Sequence, residues 1–228
     1  VVVHCAHDFA EHMQNQNVSS AKQLREAFLA FNPDGLFVYV SSYSAREYAE
    51  TAYGRVKFRC EQVLSEYPSI IIRPGFVLGG GGLFQRLAKL MKVFPVIPLF
   101  DGGAGKLPVI GIDRLCRVVA RVIVRAHENE REYNLFEREL VTQKVFFKAI
   151  LQACGHKALL LSVPSAFCLS VLKAFESVGI KLPVGHENLK AFVANQDGVH
   201  FSNLAILESG DVSIRENVLV AFEDGSAQ

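Results

Sequence analysis

The sequence predicts an α/β protein, with crossover helices on a parallel sheet and a mostly helical C-terminal region. Short β-branched runs alternate with amphipathic stretches through the first half, which is the mark of βαβ units. Those runs are apolar at nearly every position, as strands covered on both faces must be. The stretches between them are long enough for right-handed crossover helices.

Val1 to Ala6 is the first run, Leu36 to Val40 the second and Ser69 to Arg73 the third. Between the first two, Asn17 to Ala30 reads as a helix with Leu24, Ala27 and Phe28 on one face, closed by Asn32-Pro33-Asp34-Gly35. Thr51 to Glu66 is the next helix. After Pro74, Gly79 to Gly82 forms a loop, and Leu83 to Val93 has helical spacing through Leu83, Leu87, Leu90 and Met91. Pro95, Pro98 and Asp101 to Gly105 break regularity. Val109 to Asp113 leads into a helix from Arg114 to His127, and Glu132 to Phe136 reads as one further strand.

Thr142 to Asn195 reads as helices separated by Gly155, Pro164 and Gly179 to Pro183. Within it, Ala158 to Leu172 contains Pro164 and several serines and falls short of the roughly 20 apolar residues a membrane span needs, so a buried helix is expected. The expected division is 1–140 for the sheet-bearing core, with substrate-side loops at about 79–108, and 141–228 for the helical region. No repeat of fixed period and no low-complexity segment is present.

Composition narrows the function classes. Lysine and arginine total 24 against 23 aspartates and glutamates, and a net charge of +1 gives no basic field for nucleic acid or an anionic membrane. Half of the 228 residues are hydrophobic and mean hydropathy is +0.22, enough for a substantial core. The five cysteines are odd in number, widely spaced and without a CxxC pair. Neither a disulfide framework nor a zinc site is expected, and a reducing, cytoplasmic setting is. No secretory leader pattern is seen.

Three elements could carry chemistry. In Tyr53-Gly54-Arg55-Val56-Lys57, the tyrosine and lysine share a helix face about 6 Å apart. At an effective dielectric near 20, the cation would favour the tyrosinate by about 2 to 3 kcal/mol and bring the phenol towards proton transfer at neutral pH. The plainer reading is a surface tyrosine beside a solvated lysine. Ser41 and Ser42 end the second strand, where ligands sit in open α/β sheets, and a hydroxyl there can hold a substrate oxygen or merely cap a turn. Arg73-Pro74-Gly75 ends the third strand, where proline and glycine turn the chain and let backbone approach a flat ligand.

Other groups point elsewhere. His4, His7 and Asp8 straddle a strand exit and converge poorly for a metal, so no metal is expected. Lys148, Lys157 and Lys173 are scattered as solvated groups are. Phe146, Phe147, Phe167 and Phe175 read as core, with a second use as the wall of an apolar pocket.

The order strand-Ser-Ser, helix-YxxxK, strand-Arg-Pro-Gly, together with Val3-His4-Cys5-Ala6, Asn17-Val18, Glu61 and Pro108 to Asp113, resembles the extended and atypical short-chain dehydrogenase/reductases, the NAD-dependent epimerase/dehydratase proteins. The likeness covers roughly residues 1–137. It implies a Rossmann-type parallel sheet of which this chain supplies the later half, an NAD or NADP cofactor, and hydride transfer at an alcohol or carbonyl carbon of a small-molecule substrate. Tyr53 would be the general acid/base, Lys57 would hold the nicotinamide ribose and depress the tyrosine, Ser42 would bind the reacting oxygen and Asn17 would support the site. Cys5, Ala6, Ser41 and the Pro74, Gly75, Phe76 and Val77 backbone would line the cofactor.

The Ser42 to Tyr53 interval is shorter than in sugar-nucleotide epimerases and suits the atypical branch. No glycine-rich phosphate loop follows the first strand, and neither Gly79 to Gly82 nor Phe100 to Lys106 has its form. The expectation is therefore a chain whose apolar start, Val1-Val2-Val3, is an inner strand of a protein of about 300 residues. Glu187-Asn188-Leu189 and Pro183 loosely resemble atypical members related to a complex I accessory subunit. That motivates an alternative, a non-catalytic NAD(P)-binding structural or assembly protein. Family members often dimerise through the YxxxK helix, so a homodimer is a further expectation.

Overall fold

The protein is described as a computed structural model covering residues 1–125, 131–179, 184–197 and 201–226. In chain order the elements are β1 (Val2–His4), α1 (Gln14–Phe31), β2 (Phe37–Val40), α2 (Ala52–Ser65), β3 (Ser69–Pro74), β4 (Phe76–Leu78), α3 (Gly82–Val93), β5 (Val96–Phe100), β6 (Lys106–Leu107), β7 (Val109–Gly111) and α4 (Ile112–Val124). They continue as β8 (Glu132–Leu135), β9 (Val141–Thr142), α5 (Gln143–Ala153), β10 (Leu159–Val163), α6 (Ser165–Ser177), α7 (His186–Ala194), α8 (Leu204–Leu207) and α9 (Ile214–Ser226). The expected helix end at Ala126 and His127, and Pro183, lie outside the described residues.

The main sheet is parallel in the order β1-β2-β3-β8, with Val38 opposite Val3 and Ile70. Alternation along β2 decides what covers it, because successive side chains leave opposite faces. Phe37 and Tyr39, with Ile71, pack under α1 and α2 against Ala21, Val56, Cys60 and Leu64. Val38, with Ile70, Ile72 and Leu135, faces α4 and α8 through Val118, Val122, Leu204 and Leu207. Helices on both faces make this the α/β architecture that the sequence predicts. β1 lies at the sheet's edge, and Val3 is 42% exposed.

A third core cluster joins α3, β5, α5 and α9 through Phe84, Met91, Leu99, Phe146, Ile150 and Val218. It supports three small ladders: β4 with β7 and β5 with β10, both parallel, and β6 with β9, antiparallel. None of these is expected from local pattern. They are short, and β5 contains Pro98, so each depends on a partner remote in sequence.

Two expectations fail in the same region. Ala158 to Leu172 is not one buried helix: Leu159–Val163 is a strand against β5, Pro164 stops it, and α6 begins at Ser165. None of the residues of α6 is buried. Phe146 and Phe147 are core, as expected, whereas Phe167 is 61% and Phe175 42% exposed because α6 is outermost. Among the described residues, no helix is long and apolar enough to cross a membrane.

Candidate active site

The carboxyl ends of β2 and β3 open into a cleft of about 850 Å3. Ser42, Tyr53 and the segment Pro74 to Val77 line it, brought there by three separate elements. Thr51 caps α2 by accepting from the Gly54 amide at 3.2 Å, which starts the helix where Tyr53 meets Ser42. Both hydroxyls line this cleft, the Ser42 hydroxyl favours ionisation of the Tyr53 phenol, and the Ser44 amide donates to the Ser42 Oγ at 3.2 Å. Gly75 is required by close approach, since a Cβ there would meet the Pro108 carbonyl oxygen at 2.5 Å.

Lys57 stands one helical turn behind Tyr53 and outside the cleft lining. It is 2% exposed, donates to the Val40 carbonyl at 2.9 Å, and holds its ammonium 4.8 Å from the Tyr39 ring centroid and 5.9 Å from that of Tyr53. Burial lowers its pKa to about 8, against raising contributions from Cys60, Cys5 and Glu61. Glu61 in turn is gripped by Arg73, whose Nε and Nη2 donate to its carboxylate at 2.9 and 2.7 Å.

Tyr53 differs from the expectation based on spacing. Its pKa is raised, chiefly by burial, with the Ser42 hydroxyl opposing the rise. The covering groups come from the loop after β1. His7 meets the Tyr53 ring edge-on at 4.9 Å, and Phe9 stacks on it at 5.6 Å. Burial and the nearby Lys57 cation push His7 down to about 4, so it is neutral near pH 7.

The remaining candidates are dispersed. Asn17 does not reach Ser42 or Tyr53; its amide clasps the Asp8 backbone, accepting from the amide at 2.9 Å and donating to the carbonyl at 2.8 Å. It thereby shapes the loop that carries His7 and Phe9. Ala6 and Asn17 line an adjoining hollow, Cys5 is exposed at the end of β1, and Ser41 is buried beside Glu61. His4 packs on Tyr39 at 5.6 Å. The five thiols are free.

Sequence reading missed the far wall, which α7 supplies. Phe192 and Ala191 line the cleft, while Glu187 accepts from the Ala52 amide at 3.1 Å. Asn195, just beyond α7, donates to Ser44 Oγ at 2.9 Å and accepts from Arg46 at 3.2 Å. Only Tyr39 had a local signal: it lies on the same face of β2 as Phe37, towards α2 and hence Lys57.

No family model and no curated protein matches this sequence. Solved structures do match it. A nucleoside-diphosphate-sugar epimerase from Staphylococcus aureus superposes with a TM-score of 0.70 at 12% identity, over 96% of this chain and 75% of that one. The terminal R domain of the myxalamid PKS-NRPS biosynthetic pathway gives 0.69 at 17%, over 99% and 67%. UDP-glucuronic acid 4-epimerase from Bacillus cereus, solved with UDP-glucuronic acid and NAD, gives 0.61 at 16%, over 97% and 70%. The chain has the fold of extended short-chain dehydrogenase/reductases. Its main sheet is accordingly a Rossmann-type parallel sheet, and the cleft lies where that fold places ligands, beyond the carboxyl ends of the strands.

Proposed function

We propose that the cleft carries NAD(P)-dependent oxidation, reduction or epimerisation at an alcohol or carbonyl carbon of a small molecule. The observation that carries this reading is one cleft that brings together Ser42, just past the end of β2, and Tyr53 of α2, with the Lys57 ammonium 5.9 Å from the Tyr53 ring. The lining suits the nicotinamide end of the cofactor. The Pro74 to Val77 backbone offers it a flat wall, while Lys57, buried outside the lining and bonded to the Val40 carbonyl, acts from behind Tyr53. Bound there, the nicotinamide supplies or accepts the hydride.

The chain's own groups handle the proton. Ser42 donates to the substrate oxygen and fixes it beside the Tyr53 phenol, as a donor aimed at developing charge does. Burial keeps Tyr53 protonated near neutral pH, so in reduction the phenol gives its proton to the oxygen as hydride reaches the carbon. Oxidation runs the same transfer backwards and needs the tyrosinate, so its rate should gain as pH rises. Asn17 acts at a distance, by holding the loop that covers Tyr53.

The rise in the Tyr53 pKa also favours a second reading, a nucleotide-binding structural or assembly protein without turnover. One experiment separates them. NAD(P)H binding is followed by nicotinamide fluorescence, and turnover on a panel of alcohols and carbonyls, for the protein and for Tyr53→Phe. The first reading expects turnover to fall about 100-fold or more with binding retained. Full activity in Tyr53→Phe overturns it, and binding without turnover across the panel selects the second.

A further inference from the structure

We propose that the substrate is an uncharged, ring-bearing alcohol or ketone rather than a nucleotide sugar, selected by Phe76 and Phe192. This rests on the hydride-transfer reading of the same cleft. The two rings meet edge-on at 6.2 Å in the wall that α7 and the segment after β3 contribute to the cleft. Behind them stand Phe146, 5.7 Å from Phe76, and Phe147, stacked on Phe192 at 6.2 Å. Both backing rings are buried in the core, so this wall is held in place and cannot turn a polar group inward. On the other side, Phe9 lies on Tyr53 with 79% of its surface exposed, an apolar plate kept in water beside the proposed proton donor. An apolar ring entering between these surfaces removes both from water.

Charge and polar capacity point the same way. Among the described residues lining the cleft, Arg86 is the one lysine or arginine, while Asp8 and Glu187 bring carboxylates. His7 is neutral near pH 7. A diphosphate would enter a wall with no excess of positive charge, where phosphate sites ordinarily gather Arg and Lys. Of the three polar side chains that α7 and its end bring to the cleft, Glu187 is given to the Ala52 amide and Asn195 to Ser44 and Arg46, which leaves Asn188 for a ligand. A sugar's hydroxyls would lose water there for few partners, a cost that an uncharged ring does not meet.

Isothermal titration of the protein with 2-tetralone and with UDP-glucose, each with and without NADPH, tests the class. Saturable binding of 2-tetralone and none of UDP-glucose is expected. Phe192→Ala and Phe76→Ala should each weaken tetralone about tenfold, the loss of one well-packed ring face. Phe192→Leu, which preserves apolar volume, should fold normally and weaken it by a smaller factor. The proposal is overturned if UDP-glucose binds and Arg86→Ala abolishes that binding, if tetralone shows no saturable heat, or if tetralone affinity ignores both phenylalanines. Tetralone that binds but is never reduced counts against hydride transfer and leaves the substrate class standing. Turnover of a nucleotide sugar does the reverse.

Discussion

Lys57 carries a charge into an interior that opposes it, and the conflict has a measurable sign. Its pKa in the folded protein is about 8, below the roughly 10.4 of an unfolded chain. Between those values the unfolded state binds the extra proton, so this group makes stability rise with pH across the window. Lys57→Met should remove up to about 3 kcal/mol of that rise, read from urea midpoints at pH 7.5 and 10. A parallel pH profile in wild type and variant would refute the assignment. Tyr53 shows the opposite limit of sequence reasoning. Spacing placed it beside Lys57, which is correct, but the direction of its shift comes from burial under His7 and Phe9, residues that no local pattern connects to it. Gly75 is a residue-scale case of steric necessity. Gly75→Ala would drive a methyl into the Pro108 carbonyl and should cost about 1–3 kcal/mol or more in chemical denaturation, with the cleft floor displaced.

At the scale of elements, α2 and β3 were legible because each satisfies its own pattern: α2 buries Val56, Lys57, Cys60, Glu61 and Leu64 on one face, and β3 carries the apolar run Ile70, Ile71 and Ile72. β10 was not. Leu159-Leu160-Leu161 fits a helix as well as a strand, and pairing with β5 decides the matter. α7 matters most for the cleft, since it is pinned to the segment before α2 by Glu187, Asn195 and the Lys190 bond to the Glu50 carbonyl at 3.1 Å. Glu187→Ala removes one pin and a favourable charge in the first turn of the helix. Its expected cost is about 1 kcal/mol, seen as faster amide exchange along α7, with KM raised more than kcat is lowered. Unchanged exchange in α7 would show that Glu187 does not hold the helix.

The whole molecule is tied together away from the cleft by a buried ion pair. Arg114 of α4 donates to Glu137 at 2.6 Å, both side chains being 3% exposed, and also to the Gly210 carbonyl. Asn217 of α9 donates to the same carboxylate at 3.3 Å. One acidic side chain thus joins the sheet's helical cover, the turn after β8 and the C-terminal helix. Glu137→Ala leaves Arg114 buried without its counter-charge and should cost about 3–5 kcal/mol. The double change Arg114→Met, Glu137→Leu should cost far less, because no charge is left stranded. Equal losses in the single and double variants, measured by urea unfolding, would contradict this account.

What the sequence determined by itself is whatever a short window specifies: parallel strands apolar on both faces, the helices between them, and the Tyr53–Lys57 pair on one helix face. Tertiary structure alone decided the rest. Phe146 and Phe167 are the same residue type in successive helices, yet one is core and the other exposed, because burial depends on what a helix packs against. The far wall of the cleft lies in α7, remote in sequence from what it meets: Glu187 is 135 residues from Ala52, whose amide donates to it. Such contacts form only once the chain has collapsed around three cores, and with them come the burial of Tyr53, the low pKa of Lys57 and the shape of the cleft.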